Sequence, residues 1–362
     1  MSDLYFSTKS PVENGTTSYD YNYDGDNFTI ITLCEEEHDF GTLTTALFTL
    51  VFVLSMTGNV LVLCVITKYE DMKKVTNIFI LNLAVSDLLF AFSLPFWAVY
   101  HSYQWIFGDF MCKLMSGSYF IGFHSSLIFL MAITVERYLT VVHGGSRMLK
   151  KRTLYAQVAC VVIWLISIAT SVKEMMVSVT VETNGTITCE EEGTSSNQVG
   201  YYLHIVLLFL LPLFIIVFCY CCILKTVLSC TTKKKFRAVK IIFCIVVTFF
   251  ICWAPYNLIL FLLTLNEYRS TGQENDCERS AILDLAFIIC RNLAYCHCCL
   301  NPLLYCFTKK FRGHLATLIC NSPLQKRAGE HENSNSSFII QKAAVVHDRI
   351  SLSTKKMCDS YM

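Results

Sequence analysis

Charged residues are scarce in this chain of 362 residues. Asp, Glu, Lys and Arg make up 16% of the sequence, whereas hydrophobic residues make up 54%, and the mean hydropathy is +0.48. A soluble domain carries about a quarter charged residues. The composition therefore excludes an ordinary soluble protein and indicates a membrane protein.

The chain also lacks the features of several other protein classes. Residues 282–307, the last of seven apolar runs, contain no lysine, which excludes a Schiff-base retinal protein. No internal repeat of the transporter type is visible, and no nucleophile and base converge as an enzyme would require. Residues 1–41 contain no apolar core of a cleavable signal peptide, so we expect the first apolar run to act as a signal-anchor.

What the sequence does contain is a set of seven apolar runs. They lie at residues 41–67, 76–100, 110–138, 153–172, 200–228, 237–265 and 282–307. Each is close to the roughly 20 residues that a helix needs to cross a bilayer, and none alternates as barrel strands do. The sequence therefore predicts an all-α membrane protein, a seven-transmembrane-helix bundle.

The few charges are segregated between these runs. Lysine and arginine cluster after the first, third, fifth and seventh runs, whereas acidic residues cluster before the first run and between the fourth and fifth. Because basic loops stay in the cytoplasm, we expect an extracellular N-terminus in the plasma membrane. Three glycosylation sequons would then lie outside, at Asn14, Asn27 and Asn184.

This topology divides the chain into four parts. Residues 1–40 form an acidic extracellular tail, residues 41–307 the transmembrane domain, and residues 321–362 a cytoplasmic tail. Residues 308–320 are basic and amphipathic, which predicts a short eighth helix on the membrane. Cys320 at its end is a candidate for palmitoylation.

Four of the nineteen cysteines lie in predicted extracellular segments, where disulfides are favoured. Three pairings are possible; we expect Cys112 with Cys189 and Cys34 with Cys277, the alternative being that one or more stay free. The run of residues 296–299, Cys-His-Cys-Cys, has the ligand types of a metal site. Consecutive helical positions diverge, however, so we interpret the run as core packing and predict no metal.

Polar residues inside an apolar run are costly and indicate function. Asp87 lies in the middle of the second run, and with Asn59, Ser126 and Asn301 it predicts a small hydrated cluster. A sodium ion would offset the carboxylate charge there. We expect no other cofactor.

Two features are compatible with a conformational switch. Glu136 and Arg137 are adjacent at the cytoplasmic end of the third run, either as an ordinary ion pair or as an arginine that is released to a partner. Spacing does not separate these readings. Prolines interrupt four runs, and kinked helices allow two packings of a bundle, although kinking without switching is also compatible. These prolines are Pro95, Pro212, Pro255 and Pro302.

The residues fall into an ordered set of motifs. They are Gly58-Asn59-Val60, Asp87 in Leu83-Ala84-x-x-Asp87, Glu136-Arg137-Tyr138, Trp164, Pro212, Cys252-Trp253-Ala254-Pro255 and Asn301-Pro302-Leu303-Leu304-Tyr305. In this order, over residues 40–320, the set resembles the rhodopsin-like (class A) G-protein-coupled receptors. Three further motifs resemble those of chemokine receptors: Ser93-Leu94-Pro95-Phe96-Trp97, Trp105-x-Phe107-Gly108 and His297-Cys298-Cys299-Leu300-Asn301-Pro302.

One position narrows the resemblance within chemokine receptors. The family usually carries Glu six residues before the His of the His-Cys-Cys run, and this chain has Arg291. A basic residue there is similar to the C-type (lymphotactin, XC) branch. The CC-type branch shares most other features, and an atypical scavenging receptor without G-protein signalling is a further alternative, because Gly144-Gly145 in the second intracellular loop is unusual.

The resemblance implies a small secreted chemokine as ligand and a set of residues that bind it. These are Tyr19, Tyr21, Tyr23, Trp97, Trp105, Tyr119, Glu174, Tyr256, Asp284 and Arg291. It also implies that Trp253 and Tyr305 repack on activation and that Arg137 is released toward a heterotrimeric G protein, usually of the inhibitory (Gi) class. Receptor kinases and arrestin would act on the tail, and no nucleic-acid partner is expected.

Overall fold

The computed structural model describes residues 41–143, 149–183, 185–191, 206–229, 233–269, 274–306 and 309–320. These residues are mostly helical. The elements are α1 (Gly41–Tyr69), α2 (Val75–Ser102), α3 (Gly108–Val142), α4 (Leu149–Val177), β1 (Ser178–Thr183), β2 (Thr186–Glu191), α5 (Leu211–Ser229), α6 (Lys233–Arg269), α7 (Glu274–Tyr295), α8 (His297–Cys306) and α9 (Lys309–Cys320).

Within the described ranges, six helical spans are long and apolar enough to cross a membrane. They are Gly41–Tyr69, Val75–Ser102, Gly108–Val142, Arg152–Val177, Phe243–Leu263 and Ile282–Cys306. The last combines α7 and α8, which are separated by a break at Cys296. The fifth predicted run is represented by the shorter apolar helix Leu211–Thr226, preceded by the π-helical turn Val206–Leu210. This architecture is consistent with a seven-transmembrane receptor.

The helices differ in how much of their surface faces the rest of the bundle. In α3, 72% of the central apolar window is buried, which makes α3 the central helix, whereas in α4 only 28% is buried. Exposed apolar residues recur along α4 every three or four positions, so they form one face. They are Leu154, Val158, Val161, Leu165 and Ile168. An outward apolar face is what contact with lipid chains requires.

Two glycines mark places where helices approach each other closely. A Cβ atom on Gly122 of α3 would lie 2.6 Å from the backbone nitrogen of Phe90 in α2. A Cβ atom on Gly58 of α1 would lie 2.7 Å from the Cβ of Pro302 in α8. Small residues permit such close approach between membrane helices.

Pro302 also explains a hydrogen bond between α1 and α8. Proline has no backbone N–H, so the carbonyl of Cys298, four residues earlier, loses its helical donor. The Nδ2 of Asn59 donates to that oxygen at 2.9 Å and the Oγ of Ser55 at 3.3 Å. In a lipid environment a backbone carbonyl must find such a partner.

A β-hairpin follows α4, and the expectation of an all-α protein missed it. Strands β1 and β2 are antiparallel, and Ser178 pairs with Glu191 at the open end. Gly185 in the turn has a φ of +79°, which glycine adopts at little cost. The signal was present in the sequence, because Asn-Gly between β-branched runs is typical of hairpins.

Hydrogen bonds attach the hairpin to the neighbouring helices. The backbone N–H of Trp105 donates to the Ile187 carbonyl at 2.8 Å, and the Ile187 N–H donates to Oε1 of Gln104 at 3.0 Å. The Thr180 N–H donates to Oδ1 of Asp109 at 3.1 Å, at the start of α3. We call the end of the bundle where β1 and β2 lie the hairpin end.

Helix α9 coincides closely with the amphipathic segment predicted for residues 308–320. His314 stacks on Tyr69 at the end of α1, with ring centroids 5.1 Å apart, and its Nε2 lies 3.6 Å from Oε1 of Glu70. These contacts fix α9 against α1. That α9 lies on the membrane, and that Cys320 carries a lipid, remain predictions.

Candidate functional site

Three of the predicted ligand-binding aromatics lie in one connected aromatic region near the hairpin end. Tyr119 of α3 packs against Phe90 (5.0 Å between centroids) and Tyr295 (5.5 Å). Trp97 and Tyr256 are equally buried. Because these rings contact neighbouring helices, a ligand that displaced them would change helix packing as well as fill space.

Arg291 is buried in the same region. Its side chain is 2% exposed, and the guanidinium carbon lies 5.8 Å from the ring centroids of both Phe48 and Phe287. Cation–π contact of this kind stabilises a desolvated charge. Asp284 is seven residues earlier and half-buried, so the two charges lie on the same face of α7.

Glu174 and Trp105 are also buried. Glu174 lies in the last turn of α4, and its Oε2 has no hydrogen-bond partner among the residues that the structure describes. Trp105 is fully buried, packs against Trp97 at 5.3 Å and donates from Nε1 to the Gly108 carbonyl at 2.9 Å. Trp105 thus forms part of the buried packing at the hairpin end. Contact between this residue and a ligand stays a prediction.

Trp253 lies at the centre of the bundle below these residues. Its ring is 4.1 Å from that of Phe123 in α3 and 5.3 Å from that of His297 in α8. Tyr256 packs on it edge-on at 5.6 Å. Trp253 therefore contacts both the aromatic region and the start of α8. The sequence did not predict that Phe123 is its neighbour.

Asp87, Ser126 and Asn301 come together in the interior. The Ser126 Oγ donates to Oδ1 of Asp87 and the Asn301 Nδ2 donates to Oδ2, each at 2.8 Å. Asp87 is fully buried, and in the described part of the chain no basic side chain forms an ion pair with it. Both carboxylate oxygens of Asp87 therefore accept a hydrogen bond, and a sodium ion at this cluster stays a prediction. Asn59, expected in this cluster, instead donates to Cys298 and Ser55.

Glu136 is the centre of a polar cluster at the end opposite the hairpin. Oε1 accepts from Arg152 Nη2 at 3.2 Å and from Thr140 Oγ1 at 3.0 Å, and Oε2 accepts from Thr76 Oγ1 at 3.0 Å. Arg137 Nε is farther away, 3.7 Å from Oε2. Arg152 and the threonines were not predicted, because they come from other elements or turns and carry no motif of their own.

Tyr305 is near the same end. Its side chain is buried, and its ring lies 6.4 Å from that of Phe311 in α9. Pro255 and Pro302 lie inside α6 and α8, as the apolar runs implied. The predicted switch residues thus lie both in the interior of the bundle, at Trp253, and at the Glu136 end, and whether they move stays a prediction.

A disulfide joins α3 to the hairpin. Cys112 and Cys189 are bonded, with their Cα atoms 5.7 Å apart. The side chain of Cys277 is not described, and several other predicted residues lie outside the described ranges: Asn14, Tyr19, Tyr21, Tyr23, Asn27, Cys34 and Asn184.

Comparisons with known proteins identify the family of this chain. Residues 58–305 match the family model of the 7 transmembrane receptor (rhodopsin family). Human chemokine XC receptor 1 is 44% identical over 279 residues, which cover 76% of this chain and 81% of the relative. C-C chemokine receptor type 3 of Cavia porcellus is 37% identical over 310 residues, covering 83% of this chain and 84% of the relative.

A third relative, the probable C-C chemokine receptor type 3 of Mus musculus, is 36% identical over 276 residues, covering 74% of this chain and 76% of the relative. The family model spans more than half of the chain, and all three relatives share more than 30% identity with it. The chain therefore belongs to the rhodopsin family of G-protein-coupled receptors and, within it, to the chemokine receptors, which are multi-pass plasma-membrane proteins and not enzymes.

Proposed function

We propose that this receptor binds a C-type, lymphotactin-like chemokine at its hairpin end, outside the cell. At its opposite end it activates heterotrimeric G proteins of the inhibitory class, which drives calcium mobilisation and chemotaxis. The observation that carries the ligand class is the 44% identity to human chemokine XC receptor 1, compared with 37% to a CC-type relative.

Charge supports a basic ligand approaching from outside. Residues 1–40 are acidic and contain Tyr19, Tyr21 and Tyr23 next to aspartates, where sulfation would add negative charge. Opposite potentials speed encounter and select partners. The positive-inside pattern supports an extracellular N-terminus.

Arg291 supports a ligand segment that differs from that of most chemokine receptors. A buried guanidinium repels an ammonium group and attracts a carboxylate or a carbonyl oxygen. Where other family members carry Glu, this receptor would therefore hold an oxygen-bearing group of the ligand N-terminus, with Asp284 and Glu174 left to contact its amine. Trp97, Tyr119 and Tyr256 would line the path.

Signal transfer would pass through the central aromatic residues. A ligand that displaces Tyr256 alters the packing of Trp253, and α6 and α8 meet at this ring. The ligand must bind the active packing more tightly than the inactive one to shift the population. At the opposite end Arg137 would leave Glu136 and contact the G protein.

The remaining partners are proposed on the same basis. A sodium ion at Asp87 would stabilise the inactive packing. Receptor kinases would phosphorylate serines and threonines of residues 321–362, and arrestin would bind the modified tail. Asn14, Asn27 and Asn184 would carry glycans.

The function is tested by expressing the chain in cells and applying purified chemokines of each structural class. We expect the C-type chemokine to lower cyclic AMP and raise calcium in a pertussis-toxin-sensitive manner, and Arg137→Ala to abolish both responses while binding persists. A response to CC chemokines alone would assign the CC class, which the longer match to the guinea-pig relative favours. Uptake of chemokine without either response would indicate a scavenging receptor.

A second variant tests the role of Arg291. Arg291→Glu should reduce the response to a C-type chemokine, whereas Lys113→Glu, a charge reversal at a half-buried lysine on the first turns of α3, should have a smaller effect. Equal responses of both variants would remove Arg291 from the ligand site.

A further inference from the structure

The break between α7 and α8 contains two cysteines that are three residues apart. Cys296 separates the two helices, and Cys299 lies in the first turn of α8. The Cys296 N–H donates to the Leu293 carbonyl at 3.1 Å, and the Cys299 N–H donates to the Cys296 carbonyl at 3.2 Å. Hydrogen bonds over three residues tighten the chain into a 3₁₀-like turn, in which side chains three residues apart lie above each other. The break therefore places both thiols on the same side of the segment.

The two thiols also contact each other. The Sγ of Cys299 points back toward Cys296 and donates to its carbonyl oxygen at 3.2 Å, and the two side chains interact directly. Side chains three residues apart on a helix have Cβ atoms about 5–6 Å apart, and a disulfide needs about 3.5–4.5 Å. Because a 3₁₀ turn brings such side chains closer than an α-helical turn does, a bond between Cys296 and Cys299 needs little movement.

The cysteine between them is placed differently. Cys298 is fully buried, and its Sγ donates to the Tyr295 carbonyl at 3.2 Å. Positions two residues apart on a helix point to nearly opposite sides. Cys298 is therefore a packing residue, as expected for this run, whereas Cys296 and Cys299 form a pair.

Cys296 can be reached from the lipid bilayer. Exposed apolar residues recur every three or four positions along the span Ile282–Cys306, at Ile289, Leu293 and Leu303. Cys296 falls in this series and is half-buried, whereas Cys299 is buried. A reachable thiol next to a second thiol is the arrangement that redox-sensitive cysteines share.

We propose that Cys296 and Cys299 are a redox-active pair that hydroperoxides dissolved in the bilayer oxidise to a disulfide. The Cys296 sulfur attacks the terminal oxygen of the hydroperoxide, and the O–O bond breaks. The thiol proton passes to the departing alkoxide, which leaves as an alcohol, and Cys296 becomes a sulfenic acid.

Cys299 completes the reaction. Its sulfur attacks the Cys296 sulfur, the S–O bond breaks, and the hydroxide leaves as water with the Cys299 proton. Two thiols and one hydroperoxide thus give one disulfide, one alcohol and one water, so two electrons pass from the pair to the hydroperoxide. The new bond spans the turn between α7 and α8 and fixes it. His297 lies inside the closed ring, and its side chain is 5.3 Å from that of Trp253.

The experiment uses the purified full-length receptor, without chemokine or G protein, in nanodiscs of saturated phosphatidylcholine. The receptor is treated with cumene hydroperoxide, unfolded, alkylated with N-ethylmaleimide and digested with trypsin. Residues 292–309 form one tryptic peptide that contains four cysteines, Cys296, Cys298, Cys299 and Cys306. The wild-type peptide should carry four labels before treatment and two after it, and fragmentation should locate the bond between Cys296 and Cys299.

Three variants identify the two sulfurs. Cys296→Ser and Cys299→Ser should each keep all of their remaining labels after treatment. In Cys299→Ser, dimedone should in addition trap the sulfenic acid on Cys296, because no second thiol consumes it. Cys306→Ser is the matched control, since it removes a cysteine of the same peptide outside the pair. It should form the bond as the wild type does.

Four outcomes would overturn the proposal. They are four labels retained by the treated wild type, an equal loss of labels in Cys296→Ser, a disulfide from Cys296 to Cys252 of α6, which also interacts with it, and unchanged amide hydrogen exchange of residues 295–300 in the oxidised receptor. We expect that exchange to slow. Since the assay contains neither chemokine nor G protein, its failure is distinct from failure of the proposed function.

Discussion

Replacing Gly122 by alanine tests the packing of the two central helices. The added Cβ would lie 2.6 Å from the backbone nitrogen of Phe90 and 2.8 Å from its Cα. These atoms belong to the backbone of α2, so no side-chain rotation relieves the contact. Ordinary Cβ contacts begin at 3.4 Å, and the helices must therefore separate locally by roughly 0.8 Å.

The size of the effect follows from two opposing contributions. Overpacking of this kind costs about 1–3 kcal/mol, and the higher helix propensity of alanine over glycine returns up to about 1 kcal/mol. We expect a net loss of roughly 1–2 kcal/mol. Because Phe90 packs against Tyr119, Tyr295 and His297, the shift also reaches the aromatic region.

Two glycines of the same chain serve as controls. A Cβ on Gly117 would meet the sulfur of Met175 at 3.0 Å, and a methionine side chain can move aside. A Cβ on Gly313 would have no neighbour within 4 Å. Gly117→Ala should therefore have a small effect, and Gly313→Ala none or a slight stabilisation.

The assay is thermal unfolding of the three purified variants in the same detergent, with binding of chemokine at the cell surface as a second measurement. The melting temperature of Gly122→Ala should fall by roughly 1–3 °C, because the unfolding entropy of a chain of 362 residues is about 0.8 kcal/mol/K, with the other two variants near wild type. If Gly122→Ala melts at or above the wild-type temperature, the close contact between α2 and α3 is not a feature of the protein.

Three further predictions concern charges and the disulfide. Arg152→Gln frees Oε1 of Glu136 for Arg137, which would hold Arg137 more tightly. Basal and ligand-evoked G-protein activation should therefore fall, by about fivefold if the contact is worth 1 kcal/mol. Higher basal activity of this variant would contradict the competition between Arg152 and Arg137. Asp87→Asn should abolish the gain in melting temperature that sodium chloride gives over choline chloride, and a retained gain would place the cation elsewhere. Cys189→Ser should lower stability by about 2–5 kcal/mol, measured as loss of surface expression, and unchanged expression would make the bond dispensable.

Hydropathy predicted the long helices because membrane insertion depends on local composition. The first run, residues 41–67, corresponds to Gly41–Tyr69. The break at Cys296 and the π-helical turn at Val206–Leu210 leave no trace in composition and were not predicted. The hairpin was missed for another reason, since a search for apolar runs passes over its short alternating strands.

The contacts of the candidate site were also predicted only in part. Asp87, Ser126 and Asn301 were expected together with Asn59 because they are polar residues inside apolar runs, and the structure brings Ser126 and Asn301 into contact with Asp87. Arg152 was predicted only to be one of the basic residues that follow the third apolar run, because its contact with Glu136 depends on how α3 and α4 pack. Pairwise contacts between elements without a shared motif are set by tertiary structure alone.

The hydrogen bonds from Asn59 and Ser55 to the carbonyl of Cys298 give α1 a role beyond anchoring the chain. Pro302 removes one helical hydrogen bond from the seventh transmembrane segment, and α1 supplies hydrogen bonds in its place. Any inward swing of the part of that segment that follows Pro302 must move α1 as well or break these two hydrogen bonds. The first helix thereby restrains the movement of the seventh transmembrane segment near Pro302.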